Sequence, residues 1–578
     1  MKGTEVIVRV AGAAGDGVQS AGLIIAKAFS RSGLYVNTYN YYQSLIRGGQ
    51  SWYQIRASHD KVKSQGDGLD VLIALNKDGL ERHTNPMINE GGASPLEGVA
   101  IFDKAITGYA RGKATYCEMP LGEIAAKYGK NALMKNTVAI GAMAAAVGLD
   151  FDILSGVIAD QFGKKGDVAD QNVRAAKEGY DYYGSNFKKL DKNIQYGNTK
   201  RYMMAGGEAV GLGAVSGGLK MYVGYPMTPA SSVLHYLASH ADQFGIFVKV
   251  SEDEISAINM AIGANYAGVR AMTGSSGGGF ALMTEALGMS GMVEVPLVVY
   301  EAQRSGPSTG LPTKTEQGDL MQVIGASQGD YPKVVFAPRN VEEAFYMTRE
   351  ALNLAEKLQM PVIVMSDLYL AEHYESVENL DLNFKIERGV FAKDNDPDYK
   401  RYEYTTSGIS QRALPGQPGL MHNEDSDEHN EYGAVVSDAD TDPTLRRLSM
   451  EKRMRKIKVY LQEMPPTETY RYSDAEYAIV QWGSTQGVVE EAVDILREKG
   501  IKAGAVEINR VYPLNPDMGK LLSGKKKIIV VENNYSGQIN RFLRSEFLVK
   551  TDLITKYDGE SFYPGALAEE LEAVIRRN

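Results

Sequence analysis

The stretch Ser251–Leu287, SEDEISAINMAIGANYAGVRAMTGSSGGGFALMTEAL, limits what this chain can fold into more than any other. Ile255, Ile258, Ile262 and Tyr266 recur at helical spacing, Val269 to Thr273 is a short extended run, and Gly277, Gly278 and Gly279 break it before a second helix opens. A helix, a strand and a glycine turn leading into another helix is the working unit of an α/β fold. Ala257, Ala261, Gly263, Ala264, Ala267 and Gly268 leave the first helix with few side chains longer than a methyl group, so a close approach to another backbone or to a flat ligand is expected. Three acids, Glu252, Asp253 and Glu254, stand in its first turn, where carboxylates suit the positive end of the helix dipole. Spacing alone is satisfied by simple helix stabilisation.

At 578 residues the chain exceeds one core and is expected to divide into three or four domains. A net charge of -10 over this length argues against a nucleic-acid surface. The single cysteine, Cys117, excludes a disulfide framework and any iron-sulfur cluster held by this chain's own four thiolates. It reads as a passive core residue. The seven histidines show no HExxH or Cys/His spacing, so no metal site built wholly from this chain is expected. The N-terminal MKGTEVIVRVAG enters a strand and a glycine turn rather than a signal peptide, and no long uncharged apolar run occurs, which points to the cytoplasm.

Taken in order, residues 1–190 read as a first α/β domain, with a strand from Val6 to Ala11, the turn GAAGDG and a helix from Ser20 to Ser30. The turn lacks the GxGxxG order, so a structural turn is at least as good a reading as a dinucleotide site. Within this domain Tyr41–Ser51, YYQSLIRGGQS, places Arg47 before two glycines. A guanidinium beside backbone donors suits a carboxylate or phosphate, and a plain surface turn is the alternative. Residues 184–202 are polar and read as a linker. A second α/β domain covers 200–380. In it the strand Tyr222–Tyr225 ends at YPMTP, where two prolines stiffen the backbone around Thr228. The strand Pro296–Tyr300 delivers Arg304 to the carboxyl end of the sheet, where ligands gather, and an arginine there suits bidentate binding of a carboxylate. Residues 381–470 form an irregular connecting segment with an acidic run, GLMHNEDSDEHNEYG, read as a solvated face, and a basic helix from Leu445 to Lys458. Residues 471–578 alternate strands and helices as a last α/β domain.

Tyr225-Pro226-Met227-Thr228-Pro229, the stretch around Glu254, and Gln303-Arg304-Ser305-Gly306-Pro307-Ser308-Thr309-Gly310 together resemble the pyrimidine-binding domain of the 2-oxoacid:ferredoxin oxidoreductases, a thiamine diphosphate family. Residues 1–190 are similar to the family's gamma domain, fused ahead of the alpha portion. Residues 471–578 resemble the transketolase C-terminal domain, where Val531-Glu532-Asn533-Asn534 and Gly537-Gln538 match the family's pattern. The resemblance implies that Glu254 is the catalytic carboxylate set against the aminopyrimidine ring nitrogen of thiamine diphosphate, with Tyr225, Pro226, Ser275 and Ser276 lining the cofactor. It implies that Thr228 and Arg304 hold the 2-oxoacid carboxylate and that Ser44 and Arg47 meet the substrate's distal end. The family's diphosphate and magnesium pattern is missing, since Gly15-Asp16-Gly17 lies in the wrong domain and Gly66-Asp67-Gly68 lacks the surrounding elements. The resemblance therefore assigns Mg2+ and a 4Fe-4S cluster to a beta subunit, with ferredoxin as acceptor, coenzyme A as co-substrate and an (alpha-beta)2 heterotetramer as the assembly. The gamma-alpha fusion and Arg47 point to 2-oxoglutarate. Pyruvate or a broad or branched-chain set of 2-oxoacids is the alternative within the family; a non-redox thiamine enzyme, a non-catalytic scaffold subunit and a nicotinamide-dependent dehydrogenase using GAAGDG are the alternatives outside it.

Overall fold

The computed structural model describes residues 4–45, 47–85, 96, 98–163, 166–197, 199–436 and 443–577. Three sheets organise them. The first has eight strands in the order Thr115–Met119, Val99–Asp103, Val71–Ala74, Glu5–Ala14, Gly48–Ser58, Tyr35–Tyr41, Tyr374–Val377 and Tyr202–Ala205. Period-two alternation sorts its side chains. Val6, Val8 and Val10 of Glu5–Ala14 enter a core beneath the helices Val18–Arg31, Met134–Val147 and Val168–Asn186, whereas Ile7 and Ala11 face Leu72, Ala100 and Phe102 on the other side. Cys117 is buried in the first of these cores. The helices Met134–Val147 and Val168–Asn186 lie almost in backbone contact. A Cβ on Gly141 would collide with the Ala176 carbonyl, and one on Gly179 with that of Val138.

The second sheet runs Arg510–Tyr512, Val334–Phe336, Pro361–Asp367, Leu297–Gln303, Ala271–Ser275, Met221–Gly224 and Phe247–Val250. All its pairs are parallel except the one made by Arg510–Tyr512. The near-continuous apolar strand LVVYEAQ is buried along its whole length, as a strand covered on both faces must be. The third sheet orders Glu468–Tyr470, Ala503–Ile508, Tyr477–Trp482, Lys527–Glu532 and Asp552–Thr555.

The sheets are stitched to one another in ways that local patterns do not announce. Tyr202–Ala205 and Tyr374–Val377 flank the second sheet in sequence yet complete the first, and Arg510–Tyr512 leaves the third to pair with Val334–Phe336. The polar stretch expected to be a linker instead lies along the first helical layer: Leu190 N donates to Ala146 O at 2.9 Å, Gly197 N to Ser32 O at 2.8 Å, and Lys192 pairs with Asp70 at 2.6 Å.

The acidic run is not the solvated face that its composition suggested. Glu424 pairs with Arg401 at 2.7 Å, Glu428 with Arg453 at 3.0 Å and Glu431 with Lys400 at 3.2 Å. The basic helix, Pro443–Glu463, turns Lys452 and Lys456 inward onto Glu294, at 2.6 and 2.5 Å. Among the described residues no helix is long and apolar enough to cross a membrane.

Candidate active site

The helix Glu254–Tyr266 gives its three leading acids three different fates. Glu252 is exposed. Asp253 is the N-cap, its carboxylate accepting from Ser256 N at 2.7 Å. Glu254 is only 3% exposed, and its Oε1 accepts from the Ser275 hydroxyl at 3.0 Å. Ser275 ends the adjacent strand Ala271–Ser275, and the helix Gly277–Met292 follows at once. A Cβ on Gly279 would collide with both the Glu254 carboxyl and the Ser275 hydroxyl. The expected close approach is thus made by a glycine of the second helix. Gly263 on the first helix faces open space, and Ile255 and Met260 are exposed at 49% and 41%. Ser276 is fully buried, its hydroxyl has no hydrogen-bond partner among the described residues, and it does not cap the helix that it precedes. A buried hydroxyl without a partner calls for a ligand or a water.

Tyr225 and Pro226 are exposed just beyond the strand Met221–Gly224. Met227 Sδ lies 3.7 Å from the Ser275 hydroxyl oxygen, and the Thr228 carbonyl accepts from Arg304 Nη1 at 2.9 Å. Burial draws the Arg304 pKa below its ordinary value, and the nearby Asp319 opposes the shift. Glu254, Ser275, Thr228 and Arg304 therefore meet at the carboxyl ends of three adjacent parallel strands, the place where open α/β sheets bind ligands.

Ser44 and Arg47 lie on the exposed connection between Tyr35–Tyr41 and Gly48–Ser58, where Ile46 falls outside the described residues. The bonds that tie this loop to the second sheet are made at its base. The Tyr42 hydroxyl donates to Glu372 Oε1 at 2.8 Å, and Thr313 Oγ1 donates to the Tyr42 carbonyl at 2.9 Å. Burial pushes the Glu372 carboxyl up to about 7.

The residues present fit one end of thiamine diphosphate. A buried carboxylate, the unpartnered Ser276 hydroxyl and the exposed Tyr225 and Pro226, all at the carboxyl end of the same sheet, suit a flat, polar-edged ring. Among the described residues no group of three or more His, Cys, Asp or Glu could hold a metal ion. Both Gly-Asp-Gly turns are consumed by the fold. Asp16 Oδ2 accepts from Ala13 N and Asn76 Nδ2 at 2.9 and 3.1 Å, and the Asp67 carboxylate accepts from Gly565 N at 2.9 Å. The Glu532-Asn533-Asn534 stretch is also absorbed in joining elements: Glu532 accepts from Ile539 N and Asn540 N, both at 2.9 Å, and Asn533 N donates to Gln317 Oε1 at 3.0 Å.

Three charged groups near the site escaped the sequence reading. Glu301 is fully buried in register with Ser275, Asp319 lies beside it, and Lys314 sits over the Tyr41 ring, 3.7 Å from Glu560, with burial pulling its ammonium down to about 8. Glu301 alone left a signal, a single carboxyl inside the apolar run LVVYEAQ.

Three family models match the chain in succession: pyruvate ferredoxin/flavodoxin oxidoreductase over residues 7–182, the thiamine diphosphate-binding domain of pyruvate flavodoxin/ferredoxin oxidoreductase over 212–443, and core domain II of pyruvate:ferredoxin oxidoreductase over 475–565. The 2-oxoacid:ferredoxin oxidoreductase subunit alpha of a Sulfolobus species is 33% identical across 98% of this chain and 96% of its own. The 2-oxoglutarate oxidoreductase subunit KorA of Mycobacterium tuberculosis is 31% identical across 99% and 91%. A solved 2-oxoglutarate:ferredoxin oxidoreductase from Magnetococcus marinus, with 2-oxoglutarate, coenzyme A and succinyl-CoA bound, superimposes with a TM-score of 0.91 at 36% identity, covering 99% of this chain and 100% of that one.

Proposed function

The chain belongs to the 2-oxoacid:ferredoxin oxidoreductases as a thiamine diphosphate-dependent alpha subunit, and from this premise we propose that its substrate is 2-oxoglutarate and that Glu254, Thr228 and Arg304 do its chemistry. The observation that carries the proposal is the selection of Glu254. Of three consecutive acids it alone is buried, held by Ser275 beside the paired Thr228 and Arg304. When bound, thiamine diphosphate supplies the electron sink for decarboxylating a 2-oxoacid. Glu254 would hold the aminopyrimidine end of the cofactor and exchange a proton with it, a contact that burial would strengthen. Ser275 fixes the carboxyl's orientation, Ser276, Tyr225 and Pro226 line the ring, and Arg304 with Thr228 receives the substrate's carboxylate. The net reaction converts 2-oxoglutarate and coenzyme A to succinyl-CoA and carbon dioxide, passing two electrons one at a time to ferredoxin, and it can run in reverse.

Arg47, with Ser44, is the group proposed to meet a second carboxylate, which favours 2-oxoglutarate over pyruvate. The KorA name of one relative and the 2-oxoglutarate in the Magnetococcus structure support that choice, while the broader name of the Sulfolobus relative keeps general 2-oxoacid use as the second reading. With a single cysteine in the whole sequence, the 4Fe-4S cluster is assigned to a beta subunit, together with Mg2+ and the diphosphate end of the cofactor. Exposed Phe247 and Val250 on the edge strand, and Ile255, Met260 and Leu282 on the helices beside Glu254, support a subunit covering this side in an (alpha-beta)2 assembly in the cytoplasm.

The test is anaerobic viologen reduction by the assembled complex with 2-oxoglutarate or pyruvate, with and without coenzyme A. Coenzyme A-dependent reduction with 2-oxoglutarate is expected, and Arg47→Ala should raise its KM about tenfold while leaving any pyruvate KM in place. Reduction with pyruvate alone refutes the substrate proposal.

A further inference from the structure

Glu301 stands out as a fully buried glutamate inside an apolar strand, with no donor among the described residues reaching either carboxyl oxygen. The group packed against it is another carboxyl, that of Asp319, which precedes the helix Leu320–Ile324. Two carboxylates in contact are two acceptors, and the contact becomes a hydrogen bond only when a proton lies between them. The neighbourhood offers little else. The strand Ala271–Ser275 presents Ser275, and through it Glu254. The strand Pro361–Asp367 presents Asp367, already held by the Ser484 hydroxyl and Leu370 N, with His373 behind it. Tyr300 adjoins Glu301, Glu316 faces Asp319, and Arg304 is the cation acting on Asp319.

The geometry is specific on the Asp319 side. A Cβ on Gly277, in the first turn of the helix after Ser276, would collide with the Asp319 carboxyl. Asp319 N donates to Gln303 Oε1 at 3.0 Å, and Gln303 Nε2 donates to Ser366 O at 3.0 Å. The pair is thereby fixed between the cofactor-side helix and Arg304.

We propose that Glu301 and Asp319 share one proton and that this singly charged pair positions Arg304 for the substrate's carboxylate. The proposal rests on Arg304 being the carboxylate-binding group, as argued above. Two buried carboxyls with one nearby cation do not both ionise readily. Burial and Asp319 push Glu301 well above the ordinary carboxylate range, and burial raises Asp319 to about 6, so at neutral pH the proton stays on Glu301 and the charge on Asp319. A singly negative pair balances Arg304 without claiming it, and its Nη1 remains on the Thr228 carbonyl. When the shared proton leaves, a doubly negative pair draws the guanidinium inward, in direct competition with the incoming substrate. Glu301 is a positioning residue in this scheme; it does not touch the reacting atoms.

The experiment is the pH dependence of the KM for 2-oxoglutarate, measured with the assembled complex. In the wild type KM should rise by about tenfold as the pH is raised from neutrality through the alkaline range in which the complex stays assembled. Glu301→Gln keeps a neutral side chain in the same volume and should reduce that rise to less than about twofold. Asp319→Asn removes the other member of the pair and should abolish the rise likewise, which covers the case in which one variant does not assemble. A flat wild-type KM, or an alkaline rise that persists unchanged in both variants, overturns the proposal. Absence of any 2-oxoacid-dependent viologen reduction by the wild-type complex is a different result, and it overturns the functional reading instead.

Discussion

Glu294, just before the strand Leu297–Gln303, and Glu301, near the strand's carboxyl end, are buried to within 1% of completely, yet they are treated in opposite ways. At the amino end, burial raises the Glu294 pKa, but Lys452, Lys456 and Arg401 outweigh it and hold the carboxyl well below its usual range. At the carboxyl end, no such cation among the described residues acts on Glu301, and burial with Asp319 drives it the other way. The amino end anchors the connecting segment, whose basic helix crosses there. The carboxyl end faces the site. Glu294, which holds the fold together, is supplied with cations until its charge is secure, whereas Glu301, proposed to share a proton, meets another carboxyl instead.

The largest effect that separates the two ends is expected from Glu254→Gln. General acid-base groups contribute about 10²–10⁴-fold to rate, so kcat of the assembled complex should fall by that factor. The urea midpoint should hardly move, because the isosteric amide still fills the space beside Gly279 and accepts from Ser275. Retained turnover would remove Glu254 from the chemistry and leave it a helix stabiliser.

Lys456→Met tests the other end. Glu294 loses one of its two lysines and keeps Lys452, so the cost is that of one charge-assisted contact, about 1.5–3 kcal/mol, read as a lower urea midpoint of the complex. The KM for 2-oxoacid in the surviving folded protein should be unchanged. The sign of the pH dependence follows from the direction of the Glu294 shift. Its folded pKa is depressed, so its contribution is present above the unfolded carboxylate value of about 4.3 and drains away as pH falls toward the folded value. The gap in stability between wild type and Lys456→Met is therefore widest near neutral pH and narrows in acid. A gap that widens on acidification would mean that Lys456 does not serve Glu294.

Much of this contrast was hidden from the sequence. Regular elements were legible because their periodicity is local: the helix Val341–Leu358 and the strands Ala503–Ile508 and Lys527–Glu532 fall where apolar spacing puts them. The stiff YPMTP corner and the arginine at a strand end were legible for the same reason, whereas Gly277, Gly278 and Gly279, expected as a turn, are the first residues of the helix Gly277–Met292. Pairing across hundreds of residues was not. Nothing in YMMA or YESV says that Tyr202–Ala205 and Tyr374–Val377 complete the first sheet, and nothing in the acidic run 419–433 says that its glutamates find Arg401, Arg453 and Lys400. The Glu301–Asp319 pair is of this kind. Its members stand eighteen positions apart, and only the return of the loop after Arg304 brings them together.

The smallest effect comes from Asp253→Ala, and it bears on how finely one helix turn divides its labour. Asp253 and Glu254 are adjacent acids at the same helix end, so a dipole argument alone treats them as equivalent. The structure does not. Asp253 accepts from Ser256 N and satisfies one of the unpaired amides of the first turn, a role whose loss costs about 1 kcal/mol. Glu254 is held from the other side, by Ser275 and by the bare Gly279 backbone, neither of which depends on the cap. Asp253→Ala should therefore lower the urea midpoint slightly and leave kcat within about twofold of wild type. If instead it lowers kcat as deeply as Glu254→Gln, the two acids act together through the field at the helix end. Carboxyls that hold the fold and carboxyls that move protons would then not be separable at the one place where they stand side by side.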